Sequence, residues 1–222
     1  MKALTIALAK GRIADSALEK FADAGMNFRE MMENNRKLVF CDEAANVSFF
    51  MAKPVDVPTY VEYGAADVGI SGKDTILEER RSICEIADLG FCACKMVVAG
   101  FPGALDNIPK NGVLRVATKY PNIAKDYFNI YKKQTVEIIK LNGSVELGPI
   151  VGLADVIVDL VETGLTLKEN GLDILGDVCD ISTRLITNKV SMKLERERIA
   201  ELASILRAVN SRQRVGSTLT CG

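Results

Sequence analysis

The chain has 222 residues, with 28 Lys and Arg against 29 Asp and Glu, a formal net charge of −1, 48% apolar residues, six Cys and neither His nor Trp. That balance offers no general pull on a polyanion, so nucleic-acid binding driven by bulk charge is not expected, although a local basic cluster can still hold a small phosphate ligand. Without imidazole there is no Ser-His-Asp or Cys-His nucleophile, no histidine general base and no His-containing metal site.

The first apolar run, residues 4–8, reads as a buried strand, and no apolar stretch approaches the length of a membrane span, so a cytoplasmic protein is expected. In the first helix Ile13, Ala17, Phe21 and Ala24 form one stripe that Gly25 ends. Strands follow at 37–40 and 47–52, then a helix with Asp56 as N-cap, Pro58 in its first turn and Gly64 at its end. Further strands are predicted at 67–70, 83–88, 92–99, 114–118, 136–141, 156–159 and 174–178. Helices begin near Pro121 and along Leu194, Ile199, Leu202, Ile205 and Val209. This alternation predicts an α/β protein in two lobes, its sheets mainly parallel with helices on both faces. The turn-rich segment 101–112 marks either a second lobe or a long surface loop. Cys41, Cys84, Cys92, Cys94, Cys179 and Cys221 contain no CxxC pair and read as free buried thiols, except Cys221, which is expected to be exposed in a polar tail, with Cys92 and Cys94 on one face of a strand.

Three segments are candidates for chemistry. In 155–167 an apolar strand delivers Asp159, and the turn Thr163-Gly164-Leu165-Thr166 opens a helix. Backbone N–H groups and two hydroxyls there suit a phosphate, while carboxylates suit the hydroxyls of a ribose 5-phosphate; an ordinary strand and turn is the alternative. Lys10-Gly11-Arg12 ends the first strand, where open α/β sheets place ligands, and Arg36 follows the next loop; together they suit a pyrophosphate, whereas alone they read as a solvated turn. Asp67 to Asp74 is a strand with Gly69 and Gly72 in a tight turn, matching neither a P-loop nor a dinucleotide fingerprint. It seats a base or a phosphate, or is simply a strand-to-helix turn.

The segments LAKGR, NNRKLVF, DVPTYVEYGAADVGISGKD, RVATKYPNIAKDYF, LNGSVELGPIVGLADVIVDLVETGLTLKENGL and CDISTRLITNKVS, in that order, closely resemble the ATP phosphoribosyltransferases from residue 4 to about residue 207. The resemblance implies a two-lobed fold like a type II periplasmic binding protein. Lobe I would be residues 1–93 plus 180–222, and lobe II, 94–179, would carry the phosphoribosyl-diphosphate loop. With no C-terminal regulatory domain, it implies the short form: a homodimer that binds a separate regulatory subunit similar to histidyl-tRNA synthetase.

The implied reaction is attack of N1 of ATP on C1′ of phosphoribosyl diphosphate, with Mg²⁺ on the diphosphate, giving phosphoribosyl-ATP and pyrophosphate in the first step of histidine biosynthesis. A ring nitrogen with a free lone pair needs no strong base, which agrees with a chain lacking histidine. Matched by position, Thr163, Gly164, Leu165 and Thr166 form the 5-phosphate loop, with Glu146, Asp159 and Asp155 as candidates for the ribose. Arg12 and Arg36, supported by Lys10, fall at the pyrophosphate, and Lys53, Gly72, Lys73 and Asp74 on the ATP side. Lys53 stands where the family commonly has Arg, Leu165 replaces a commonly polar residue, and Ala9 and Gly148 are further small-residue departures. A two-lobed ligand-binding module and a phosphoribosyltransferase for another base are the alternatives.

Overall fold

The computed structural model describes residues 2–26, 28, 37–106 and 112–216, with side chains as far as Arg207. The chain divides into two compact units, Met1–Cys92 with Ser182–Gly222, and Ala93–Ile181.

The first unit contains β1 (Leu4–Ala9), β2 (Val39–Asp42), β3 (Val47–Ala52), β4 (Val68–Gly72) and β5 (Cys84–Asp88), joined after the chain returns by β11 (Thr183–Thr187). Their order is β2-β3-β1-β4-β11-β5. Helix α1 (Arg12–Asp23) packs Ala14, Ala17, Leu18 and Phe21 onto one face of this sheet, and Gly25, at φ +86°, ends it as its sequence predicts. Phe21, Phe28 and Phe49 form a chain of ring contacts there, with centroids 5.0 and 4.7 Å apart. The other face carries α2 (Val57–Glu62), whose Val57 and Val61 pack with Ala7, Ala9 and Ile186, and α3 (Lys73–Glu79) follows β4. Asp56 occupies the N-cap position of α2 but makes no side-chain cap; a 3₁₀ turn, Pro54–Asp56, leads into the helix instead.

The second unit has β6 (Cys94–Gly100), β7 (Leu114–Thr118), β8 (Val136–Lys140), β9 (Val156–Val161) and β10 (Asp173–Ile181), ordered β10-β6-β9-β7-β8. Its helices are α4 (Pro121–Lys125), continued by a π-helical turn to Tyr131, then α5 (Leu147–Ile150) and α6 (Leu165–Glu169). Val97, Ala117, Ile157, Leu167 and Leu172 form its core. Gly148 lets α5 approach β7, since a Cβ there would lie 2.9 Å from that of Ala117.

The two-unit α/β architecture agrees with the sequence, and the strands at 47–52 and 114–118 have the predicted bounds. The mainly parallel sheets do not. β1 pairs in parallel with β3 and β4, and β7 with β8 and β9, but β2–β3, β4–β11, β5–β11, β6–β9 and β6–β10 are antiparallel. The overlooked strand β11 is largely responsible in the first unit. Its sequence, Thr-Arg-Leu-Ile-Thr, shows little apolar patterning because Thr183 and Thr187 are buried by donating their hydroxyls to the carbonyls of Phe91 and Asp67.

Two smaller expectations also change. Cys92 precedes its strand, with φ +51°, and so does not share a strand face with Cys94. Leu194 lies in a separate helix, α7 (Lys189–Leu194), capped by the Asn188 side chain, and is exposed, while α8 (Arg196–Gly216) buries Ile199, Leu202, Ala203 and Leu206. Cys41, Cys84, Cys92, Cys94 and Cys179 are in no disulfide and are exposed or half-buried rather than core; Cys221 lies outside the described residues. Among the described residues no helix is long and apolar enough to cross a membrane.

Candidate functional site

In the second unit β9 lies between β6 and β7, with Val156, Ile157 and Val158 fully buried. Thr118 pins it by donating its hydroxyl to the Val158 carbonyl at 2.6 Å. This rigid strand carries Asp159 into a pocket of about 230 Å³ lined by Glu146, Asp159 and residues 160–167. Gly164 adopts φ +75°, ψ +2°, a left-handed turn that favours glycine, and it aims the chain into α6. The Thr163 hydroxyl accepts a long hydrogen bond from the Leu165 N–H at 3.5 Å. The first helical N–H groups have no carbonyl within the helix to bond, which leaves them suited to phosphate oxygens.

Burial pushes the Asp159 carboxyl up to about 6, and the nearby Glu146 adds to the shift; the Leu160 N–H and Lys119 oppose it. The pocket thus combines two carboxylates, one of them easily protonated, with a turn of amides and hydroxyls. That arrangement can take a ligand with hydroxyls at one end and a phosphate at the other.

Asp155 does not line this pocket. It lies four residues earlier, about 13 Å away along an extended chain, and pairs with Arg115, whose Nη2 donates to Oδ1 at 2.7 Å. The Arg115 guanidinium holds this carboxyl below its ordinary value.

The first unit presents a second group of candidates. Ala9 is in register with Ala52, and the Lys10 N–H donates to the Ala52 carbonyl at 2.9 Å, so Lys10 and Lys53 stand side by side at the ends of parallel strands. β4 flanks β1 on its other side and ends at Gly72. Lys10, Gly11, Arg12, Lys53, Gly72, Lys73 and Asp74 therefore share one carboxyl edge of the sheet, where open α/β folds bind ligands. Lys10, Arg12 and Lys53 are exposed. A Cβ on Gly72 would strike the Asp74 carboxylate. Gly69 serves packing instead: a Cβ there would meet Val61, Val57 and Ile186 at 2.8 to 3.0 Å. Arg36 lies outside the described residues.

Three charged residues near these groups escaped the sequence. Lys119 reaches Asp159 electrostatically, Glu85 holds Lys73 at 2.6 Å, and Arg184 holds Glu85 at 3.3 Å. Lys119 and Arg184 fall inside the segments RVATKYPNIAKDYF and CDISTRLITNKVS but carried no pattern of their own, Arg184 on the overlooked strand, and Glu85 lies outside every quoted segment. Among the described residues no group of three or more acidic, Cys or His side chains is arranged to hold a metal ion.

A family model described as HisG, ATP phosphoribosyltransferase, matches residues 53–208. The ATP phosphoribosyltransferase of Lachnospira eligens is 60% identical over 203 residues, covering 91% of this chain and 94% of that protein. That of Lachnoclostridium phytofermentans is 57% identical over 210 residues, covering 94% and 98%. A chain of the ATP phosphoribosyl transferase (HisG:HisZ) complex from Thermotoga maritima superposes with a TM-score of 0.80 at 36% identity, covering 94% of this chain and 99% of that one. With a family model matching residues 53–208 and this degree of identity along nearly the whole of each relative, the chain belongs to the ATP phosphoribosyltransferase family.

Proposed function

We infer that the chain transfers the 5-phosphoribosyl group of phosphoribosyl diphosphate to N1 of ATP, releasing pyrophosphate, in the first step of histidine biosynthesis. The observation that carries this reading is 60% identity over 91% of the chain to a relative named for that activity.

In the reading we propose, the amides and hydroxyls of Thr163, Gly164, Leu165 and Thr166 hold the 5-phosphate, while Glu146 and Asp159 accept hydrogen bonds from the ribose hydroxyls. The support is their convergence on one pocket. Asp155 takes no part in this reading, because its carboxylate is already engaged by Arg115.

Lys10 and Arg12, with Arg36, neutralise the charge that develops on pyrophosphate as the bond to C1′ breaks. Lys53 and the turn Gly72, Lys73 and Asp74 receive ATP; their common sheet edge supports that grouping. Two pocket carboxylates are too few to enclose Mg²⁺, but they fit an ion that keeps its water and phosphate ligands, so Glu146 and Asp159 would meet it on the diphosphate. Bound there, the ion would offset charge on the leaving group.

The same reading includes a type II periplasmic-binding-protein-like arrangement, a cytoplasmic homodimer and a regulatory subunit resembling histidyl-tRNA synthetase. The likeness to a chain of the Thermotoga maritima HisG:HisZ complex supports the last. The test incubates purified protein with Mg²⁺, ATP and phosphoribosyl diphosphate, removes pyrophosphate enzymatically and identifies the nucleotide by mass and ultraviolet absorbance. The N1-linked adduct is expected; its absence, together with no binding of phosphoribosyl diphosphate, overturns the reading.

A further inference from the structure

Arg184 sits on the strand that the sequence concealed, directly across from Ser71 on one side and Asp88 on the other. Its side chain is 18% exposed. One nitrogen, Nη1, serves two carboxylates: Asp88 Oδ2 at 2.9 Å and Glu85 Oε1 at 3.3 Å. The remaining oxygen of Glu85 accepts a hydrogen bond from Lys73 Nζ at 2.6 Å. Asp88 is itself fixed, its Oδ1 accepting from the Ser182 hydroxyl at 2.8 Å and from the Gly90 N–H at 2.9 Å.

Lys73 is thus tied at both ends to the returning chain. Its backbone N–H donates to the Ser182 carbonyl at 3.0 Å, and its ammonium reaches Arg184 through Glu85. The charges alternate along Lys73, Glu85, Arg184 and Asp88, so the cluster carries no net charge and is unsuited to trapping an ion. It is suited to holding a flexible side chain. A lysine free to rotate loses that freedom when it binds a ligand, whereas one already anchored does not. Glu85 alone is a weak anchor because it is itself partly exposed; pairing its second oxygen with the half-buried Arg184 guanidinium restricts its rotation.

We propose that Arg184 is a positioning residue for ATP, acting through Glu85 to fix Lys73 at the edge of the sheet. The proposal rests on the reading of Lys73 as an ATP-side residue, which Lys73→Gln tests separately.

The experiment measures KM for ATP, KM for phosphoribosyl diphosphate, kcat and Tm in Lys73→Gln, Glu85→Gln, Arg184→Gln and the Lys73→Gln/Arg184→Gln double variant. Arg184→Gln and Glu85→Gln are each expected to raise the KM for ATP about tenfold, the low end for losing a charged hydrogen bond, with the KM for phosphoribosyl diphosphate unchanged. In the Lys73→Gln background Arg184→Gln should add less than about twofold, because the residue through which it acts is gone.

Equal effects of Arg184→Gln in both backgrounds, or equal losses for both substrates, overturn the proposal. Should Arg184→Gln fail to fold, Glu85→Gln decides: it leaves Arg184 paired with Asp88, and an unchanged KM for ATP overturns the proposal. A Lys73→Gln enzyme with unchanged KM for ATP removes both Lys73 from the site and the proposal built on it. A raised value there, with Glu85→Gln and Arg184→Gln unaffected, overturns the positioning role alone.

Discussion

Asp155 and Asp159 lie four residues apart at the two ends of one buried run, and their carboxyls are shifted in opposite directions. Asp155 accepts hydrogen bonds from the guanidinium and the backbone N–H of Arg115, which favour its charged form. Asp159 is enclosed in a pocket beside a second carboxylate, which disfavours it. The same residue type thus holds the chain together just before β9 and lines a pocket from within it.

Asp155→Asn should lower Tm while leaving the KM for phosphoribosyl diphosphate unchanged. A depressed folded pKa means that the charged pair stabilises the protein above the unfolded value of 3.8 and ceases to do so as pH falls through the folded value. Calorimetry of both proteins should accordingly show a Tm difference at neutral pH that shrinks in strong acid. A selective loss of phosphoribosyl-diphosphate binding would instead return Asp155 to the site.

Asp159→Asn should raise the Tm of the ligand-free protein at neutral pH. Here the folded pKa, about 6, exceeds the unfolded 3.8, so the contribution is fully present below 3.8 and is lost as pH rises through about 6. The loss amounts to up to about 3 kcal/mol by neutral pH. Wild-type stability should therefore fall relative to Asp159→Asn between about pH 4 and pH 7. Parallel curves would show that the carboxyl is not shifted. The same variant should bind phosphoribosyl diphosphate more weakly.

Gly164→Ala is expected to cost about 1 kcal/mol in stability, because alanine must adopt the left-handed backbone there. The nearest neighbour of a new Cβ, Val161, is 3.8 Å away, so crowding contributes little. The altered turn should raise the KM for phosphoribosyl diphosphate, whereas Leu165→Ser should leave it unchanged, since that position contributes its amide. Steady-state kinetics on both variants separate backbone from side-chain recognition.

Gly69→Ala should destabilise the first unit by about 1 to 3 kcal/mol, the usual range for overpacking a core. The methyl would press on Val57 and Val61 of α2 and on Ile186 of β11. Urea unfolding would register the loss. An unaffected midpoint would mean that the helix can move away from the sheet.

Local order along the chain was legible where burial leaves a periodic mark. Residues 47–52 and 114–118 read as strands because their apolar side chains face packed layers, and Gly25 and Gly64 mark helix ends through their positive φ. The loop Thr163 to Thr166 was legible because its amides, hydroxyls and glycine are contiguous, and the lack of histidine excluded whole classes of chemistry. Strand direction left no such mark, since a buried strand has the same pattern whichever way its neighbours run. Thr183 and Thr187 look polar until the carbonyls of Phe91 and Asp67 arrive to satisfy them. Arg115 with Asp155, and Lys73 with Glu85 and Arg184, are partnerships between residues distant in sequence. Periodicity reports only near neighbours along the chain, so the choice of charge partners, and with it which aspartate could face a ligand, waited on folding.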